Sequence, residues 1–234
     1  MEYLIVIGLI ALLLLNYLYF SFPKIKLVWI KLTTGKYSHS YIAKYKALTK
    51  RNPYSYCIAE DFADRLLPFY IINKKYPSYE SEKINNPIVF SYSDTFTNIR
   101  KELGKPTCFQ SYKISGSNIK IAGYRPEVYG KSARLYIYFV NDIFFMNEYV
   151  FKRLKDEDIL SINKKTLELA GIKTEKPPKE YYINGPNKEM LFYRDTAFSQ
   201  IISYASFNNT EVGSRLEKVI NEITKFREKL SEEE

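Results

Sequence analysis

Two stretches on either side of a short turn decide the fold: residues 133–140 (ARLYIYFV), Asn141–Asp142, and residues 143–151 (IFFMNEYVF). Aromatic and β-branched residues alternate through both stretches, and Asn-Asp is a typical hairpin turn. Residues 108–114 and 119–124 repeat the pattern across a Ser-Gly-Ser-Asn turn. We therefore predict an antiparallel β-meander in this part of the chain.

A helix is predicted immediately before the meander. Asp94 or Thr95 can cap it, and Phe96, Ile99 and Leu103 fall on one side of it. Gly104 and Pro106 end it. A helix followed by consecutive antiparallel strands predicts a two-layer α+β fold in which helices cover one face of the sheet.

This block resembles a known family. The Leu103-Gly104-Lys105-Pro106 turn after the helix, and Tyr138-Phe139-Val140-Asn141-Asp142 near the end of the strands, are similar to the small outer-membrane-assembly lipoprotein (SmpA/OmlA-like) domain. The resemblance covers residues 94–152. It implies a helix packed on a three-stranded sheet that serves as a protein-binding module rather than as an enzyme. The chain lacks the lipidated cysteine of that family, so the resemblance implies nothing about envelope assembly.

Beyond the meander, Asp156 or Asp158 can cap another helix, which Gly171 ends. Residues 181–183 and 190–193 predict a hairpin around Asn184-Gly185. The apolar positions of residues 196–207 fit a helix and a strand equally well, and both remain open.

A long amphipathic helix is predicted over residues 210–231. Its apolar residues recur at alternating spacings of four and three, which is the pattern of a helix seam. They are Val212, Leu216, Val219, Ile223, Phe226 and Leu230. The seam can dock on the protein's own sheet, or it can bind a partner or a second copy of the chain to form a homo-oligomer.

The N-terminus predicts a transmembrane anchor over residues 1–23. Residues 3–22 are almost entirely apolar, and about 20 such residues in a helix cross a hydrocarbon core of roughly 30 Å. A cleaved signal peptide is the alternative, but it requires a basic start and small residues at the cleavage site. Here Glu2 opens the run and Phe22-Pro23 closes it, which favours an anchor.

Residues 24–53 are interpreted as a basic juxtamembrane helical segment. The net charge is +9, and eight cations with no acidic residue lie between Glu2 and Glu60. Subtracting these eight from 35 leaves 27 cations against 26 acids, so this segment carries the excess charge. Positive flanks favour the cytoplasmic side, or the matrix side in an organelle. We expect contact with anionic lipid headgroups through Lys24, Lys26, Trp29, Lys31, Lys36, Lys44 and Lys46. Nucleic acid is disfavoured as a partner because phosphate binding draws on a broader basic face.

The rest of the chain, residues 54–234, is predicted to be one soluble α+β region with a sub-boundary near residues 74–87. Short strands are expected at residues 69–72 and 88–92. No catalytic, cofactor-binding or metal-binding motif is recognised in it. The carboxylates of Glu60, Asp61 and Asp64 fit a solvated helix face. Cys57 and Cys108 are interpreted as reduced, buried thiols, because a disulfide between them would require an oxidising compartment.

These features predict a non-enzymatic, single-pass membrane-anchored adaptor that binds a protein partner on the cytoplasmic face. The alternative is a structural accessory subunit of a larger membrane protein complex. A membrane-tethered enzyme without a recognisable motif is the third hypothesis.

Overall fold

The computed structural model describes residues 2–58, 62–70, 76–88, 90–196 and 198–232. The chain divides into two compact units, Met1–Tyr54 and Ser55–Glu234. Its helices are α1 (Glu2–Thr34), α2 (His39–Thr49), α3 (Phe62–Tyr70), α4 (Phe96–Leu103), α5 (Asp156–Leu169) and α6 (Thr210–Glu232). Its strands are β1 (Ser78–Glu80), β2 (Cys108–Ile114), β3 (Ser117–Tyr124), β4 (Glu127–Val128), β5 (Lys131–Ser132), β6 (Arg134–Val140), β7 (Ile143–Lys152), β8 (Glu180–Asn184), β9 (Glu189–Asp195) and β10 (Ser199–Ser206).

The first unit is a pair of helices. Gly35 ends α1 in the left-handed conformation (φ 82°), and its N–H donates to the Lys31 carbonyl. Ser38 then caps α2, because its hydroxyl accepts from the Tyr41 N–H at 3.1 Å. The Tyr54 hydroxyl donates a hydrogen bond to the Lys36 carbonyl at 2.8 Å. This bond fixes the end of the unit to its connecting turn.

The prediction of a transmembrane anchor is wrong. Within the described ranges, the structure contains no helix that is both long enough and apolar enough to cross a membrane. The single-pass location and the cytoplasmic orientation that rested on the anchor are corrected with it. Moreover, α1 continues through Pro23 to Thr34, so the apolar residues and the lysines after them lie on one helix rather than in two segments.

The second unit is built on an eight-stranded mixed sheet with the order β1-β8-β9-β10-β7-β6-β3-β2. The predicted meander is present as the antiparallel pairs of β2, β3, β6 and β7. It forms half of the sheet, and β10, β9 and β8 continue it in antiparallel order. The last pair, β1 with β8, is parallel. The α+β character is thus confirmed, in a larger sheet than the sequence predicted.

Local turn chemistry explains the hairpins. Asn141 and Asp142 both have positive φ, at 47° and 74°, and they join β6 to β7. Ser115 and Gly116, which join β2 to β3, also have positive φ, at 48° and 73°. Two residues with positive φ match the right-handed twist of paired strands, so these turns fix the strand register.

One face of the sheet is covered by α3 and α6. The side chains of Phe62, Leu66 and Phe69 on α3 belong to the same buried core as Leu216 and Val219 on α6. Residues from the strands of the sheet complete that core, and they include Ile121, Tyr138, Phe192 and Ile201.

The opposite face is covered by α4 and α5 and is rich in aromatic residues. The ring of Phe96 on α4 packs on Phe109 and Phe139, with centroids 5.2 and 5.5 Å apart. On the α5 side, the Tyr181 hydroxyl donates to the Asn163 side chain at 3.0 Å. A helix layer on each face makes this unit a three-layer structure rather than a two-layer one.

Several local predictions are corrected. The strand expected at residues 69–72 is wrong, because α3 extends through Phe69 to Tyr70, while residues 71–72 lie outside the described ranges. The strand expected at residues 88–92 is absent among the residues described there, and Tyr92 lies in a turn. The ambiguous residues 196–207 contain the strand β10.

The two cysteines are joined, so the prediction of reduced thiols is wrong. A disulfide links Cys57 to Cys108 at the start of β2. Gly123 on β3 leaves the space that the two sulfur atoms occupy. The disulfide ties the segment that begins the second unit to an edge strand of its sheet.

Candidate functional site

The second unit contains a cleft with a volume of about 750 Å³. Three regions line it: residues 83–93, the turn between β8 and β9, and the residues that lead from β10 into α6. These regions lie about 100 and 20 residues apart in the chain, and the sheet brings them together. Hereafter, "the cleft" means this surface.

Partly buried hydrogen bonds hold the first wall in place. The Asn86 side chain donates to the side-chain oxygen (Oδ1) of Asn147 at 2.6 Å and accepts from the Tyr149 hydroxyl at 2.8 Å. The Ile88 N–H donates to the same Tyr149 hydroxyl at 3.1 Å. Because Asn147 and Tyr149 lie on β7, these bonds fix an irregular segment to the centre of the sheet.

Two aromatic rings of the same wall are fixed by packing. Tyr92 stacks on Phe144 with centroids 5.0 Å apart, and Phe90 meets the same ring edge-on at 6.3 Å. Burial, followed by the negative charge of Glu189, raises the pKa of the Tyr92 hydroxyl far above its ordinary value. Tyr92 is therefore a neutral phenol at any physiological pH.

The opposite wall is the start of α6. The Asn209 side chain accepts from the N–H groups of Glu211 and Val212 at 3.0 and 3.2 Å. This is an ordinary N-cap, and it occupies donors that would otherwise be available to an anion. Asn208 precedes the cap with an exposed side chain.

Glu189, the first residue of β9, is partly exposed and lines the cleft. It is the one carboxylate among the cleft residues that the structure describes. Burial raises its pKa above the ordinary value. In the described part of the chain, its carboxylate has no ion pair or hydrogen-bond donor, although its backbone carbonyl accepts from Gly185.

The lining combines polar and apolar surface in nearly equal amounts and carries few charges. Lys83 is its one cation among the described residues, and five lining residues are asparagines: Asn85, Asn86, Asn187, Asn208 and Asn209. Amides and hydroxyls donate and accept hydrogen bonds without titrating. Across the described ranges, no group of three His, Cys, Asp or Glu residues is placed to hold a metal ion.

The residues predicted to face a lipid surface all lie in the first unit. Lys24, Lys26, Trp29 and Lys31 are on α1, and Lys44 and Lys46 are on α2, with Lys36 in the turn between the helices. Trp29 is 67% exposed. His39 begins α2.

The structure describes only part of the apolar seam of α6. Val212, Leu216 and Val219 are buried in the core of the protein, which is the first of the two alternatives left open for this helix. These three side chains are therefore not available to a partner or a second copy. The side chains of Ile223, Phe226 and Leu230 lie outside what the structure describes, as do Glu60 and Asp61.

Sequence reasoning did not find the cleft. In the sequence, Asn85-Asn86 lies in the predicted boundary at residues 74–87, and Asn209 is a possible cap of the helix predicted at residues 210–231. Two adjacent-asparagine pairs in irregular segments are a weak sign of a polar site, and nothing in the sequence indicates that they meet.

Comparisons with protein-family models, curated proteins and solved structures find no match for this chain. The resemblance of residues 94–152 to the SmpA/OmlA-like domain therefore stays a prediction.

Proposed function

We propose that the chain is a non-enzymatic protein-binding module and that the cleft receives an extended segment of its partner. The single observation that carries this proposal is a cleft lined by five asparagines, of which Asn187 and Asn208 are exposed. The other three, Asn85, Asn86 and Asn209, are held in place by hydrogen bonds within the chain. An amide side chain offers a donor and an acceptor side by side, which is the pattern that a peptide backbone presents. Polar, adaptable groups of this kind are used to hold exposed polypeptide.

The size and rigidity of the cleft support the same function. At about 750 Å³ it falls within the ordinary range of binding sites, about 300–1,000 Å³. Its first wall is fixed by the bonds of Asn86, so a ligand would meet groups already held in place. Preorganisation of this kind reduces the entropy lost on binding.

A non-catalytic role is supported by the chemistry of the lining. Acid–base catalysis requires a donor and an acceptor that titrate near the working pH. The described lining offers one carboxylate, one exposed lysine and one tyrosine of strongly raised pKa. Such a set suits recognition better than turnover.

The test is a chemical crosslinking pull-down of the tagged chain from its native cells. Asn208→Arg places a long cation over the cleft, whereas Asn98→Arg makes the same change at an exposed site on α4. We expect the first variant to lose at least about 90% of its specific crosslinked partner and the second to retain it. Equal capture by both variants, with equal thermal stability, would contradict the proposal.

A further inference from the structure

The carboxylate of Glu189 has no counter-charge among the described residues of its own chain. A carboxylate removed from water normally acquires a cation or several N–H donors, because an unpaired charge is costly to bury. Glu189 is partly shielded from water and lines the cleft, and it has neither kind of partner in the described part of the chain. Lys83, the cation of the lining, is exposed and forms no ion pair with it.

The groups around Glu189 suit a flat cation. Tyr92 lies close enough for the charge of Glu189 to affect its hydroxyl. Tyr92 and Phe90 both line the cleft with rings held by Phe144. Aromatic faces attract cations, and a guanidinium can stack on a ring while forming two parallel bonds to a carboxylate.

An anion is the opposite possibility, since the positive end of α6 lies at the cleft. Two features weaken it. Asn209 already occupies the N–H groups of Glu211 and Val212. Glu211 also places a negative charge in the first turn of the helix. Glu189 is the one negative charge among the described lining residues, and Lys83 is the one positive charge.

We propose that Glu189 is the recognition residue for an arginine side chain of the partner protein. The guanidinium binds the Glu189 carboxylate, lies against the ring of Tyr92, and gives its remaining N–H groups to amide oxygens of the lining. Lysine fits less well, because its ammonium is a point charge that neither stacks nor binds a carboxylate with two parallel bonds. This inference rests on the proposed function and specifies the chemistry of its partner.

The experiment titrates the full-length chain with N-acetyl-arginine amide and, separately, with the neutral analogue N-acetyl-citrulline amide. Backbone amide shifts in ¹H–¹⁵N spectra report the position of binding. We expect the arginine probe to shift resonances of cleft residues and to bind at least about tenfold more tightly than citrulline, a difference of about 1.4 kcal/mol. A charge-assisted bond contributes about that much.

Two variants locate the effect. Glu189→Gln keeps the shape and removes the charge, and we expect it to lose the preference for arginine over citrulline. Glu102→Gln makes the same change at an exposed site on α4 and should keep it. Equal binding of the two probes, shifts outside the cleft, or an unchanged preference in Glu189→Gln would overturn the inference. If any of these results were obtained while Asn208→Arg still lost partner capture, only the arginine inference would be rejected. The proposed protein-binding function would remain supported.

Discussion

Glu189 is partly buried and has no partner cation among the described residues, so its titration should affect the stability of the protein. Burial raises its pKa in the folded state. The folded protein therefore holds this proton more tightly than the unfolded chain does. The resulting stabilisation is complete at low pH and is lost as the pH rises through the folded-state pKa.

We expect Glu189→Gln to remove this part of the pH dependence. Relative to the variant, the wild-type chain should lose free energy of unfolding between about pH 4 and pH 7, the range above an ordinary glutamate pKa. Urea unfolding of both proteins across that range measures the difference. Glu102→Gln serves as the control, and a similar pH profile for the two variants would count against the environment assigned to Glu189.

Arg65 and Glu148 form an ion pair between α3 and β7 inside the core. Their closest atoms are 3.2 Å apart, and the two side chains are 10% and 2% exposed. The Ser203 hydroxyl also donates to Glu148 at 3.2 Å. A buried pair is costly to break, because the remaining charge stays out of water.

We expect Arg65→Met to lower the free energy of unfolding by about 3–5 kcal/mol. Lys131→Met removes one partner of the more exposed pair with Asp158, at 2.9 Å, and should cost less than about 1 kcal/mol. Urea denaturation of the two variants makes the comparison. Equal losses would mean that the Arg65 pair is as well solvated as the surface pair.

At the scale of elements, α6 is a structural helix over its first half. Leu216 is completely buried, and Val219 beside it is equally inaccessible. We expect Leu216→Ala to lower the free energy of unfolding by about 2–5 kcal/mol, since it leaves a cavity. Leu160→Ala on α5, where the side chain is 46% exposed, should change it by less than about 1 kcal/mol. Chemical denaturation followed by circular dichroism tests this, and similar effects would contradict the packing of α6.

The segment before α3 is held to the edge strand β2 in two ways. Besides the disulfide, the N–H groups of Cys57 and Ile58 donate to the Gln110 side chain, both at 3.1 Å. The Gln110 amide donates back to the Ile58 carbonyl at 3.1 Å. The segment is therefore positioned by hydrogen bonds as well as by the covalent link.

We expect the double variant Cys57→Ser, Cys108→Ser to fold with the same sheet but to lose about 2–4 kcal/mol of unfolding free energy. Reduction of the wild-type chain should produce a similar loss, and the double variant should not respond to the reductant. Thiol titration of the denatured wild-type chain should find no free thiol before reduction. Two titratable thiols at that stage would contradict the disulfide.

Elements set by local chemistry were predictable from the sequence, and those set by distant contacts were not. The turn at Asn141-Asp142 requires two residues of positive φ, so β6 and β7 followed from a few adjacent residues. The parallel pairing of Ser78 with Tyr182 joins positions about 100 residues apart, and no local pattern encodes it. The apolar residues 69–72 favoured a strand, but packing of Phe69 against Phe192 and Phe207 keeps Phe69 and Tyr70 in α3.

On the scale of the whole molecule, the sheet creates the site by bringing distant segments together. The cleft joins residues 83–93 to the turn before Glu189 and to the start of α6. Each segment taken alone is an ordinary loop or helix cap. The cleft could not be predicted from the sequence, because its lining residues form one surface only when β8, β9 and β10 are in register.

The most direct test of the cleft as a protein-binding site is photo-crosslinking in the native cells. A photoreactive amino acid replaces Asn208 in one sample and Asn98 in another, and mass spectrometry identifies the adducts. We expect a discrete adduct at position 208 whose partner peptide contains an extended segment, and none of that mass at position 98. The same adducts at both positions, or none at position 208 with the protein fully folded, would contradict the account.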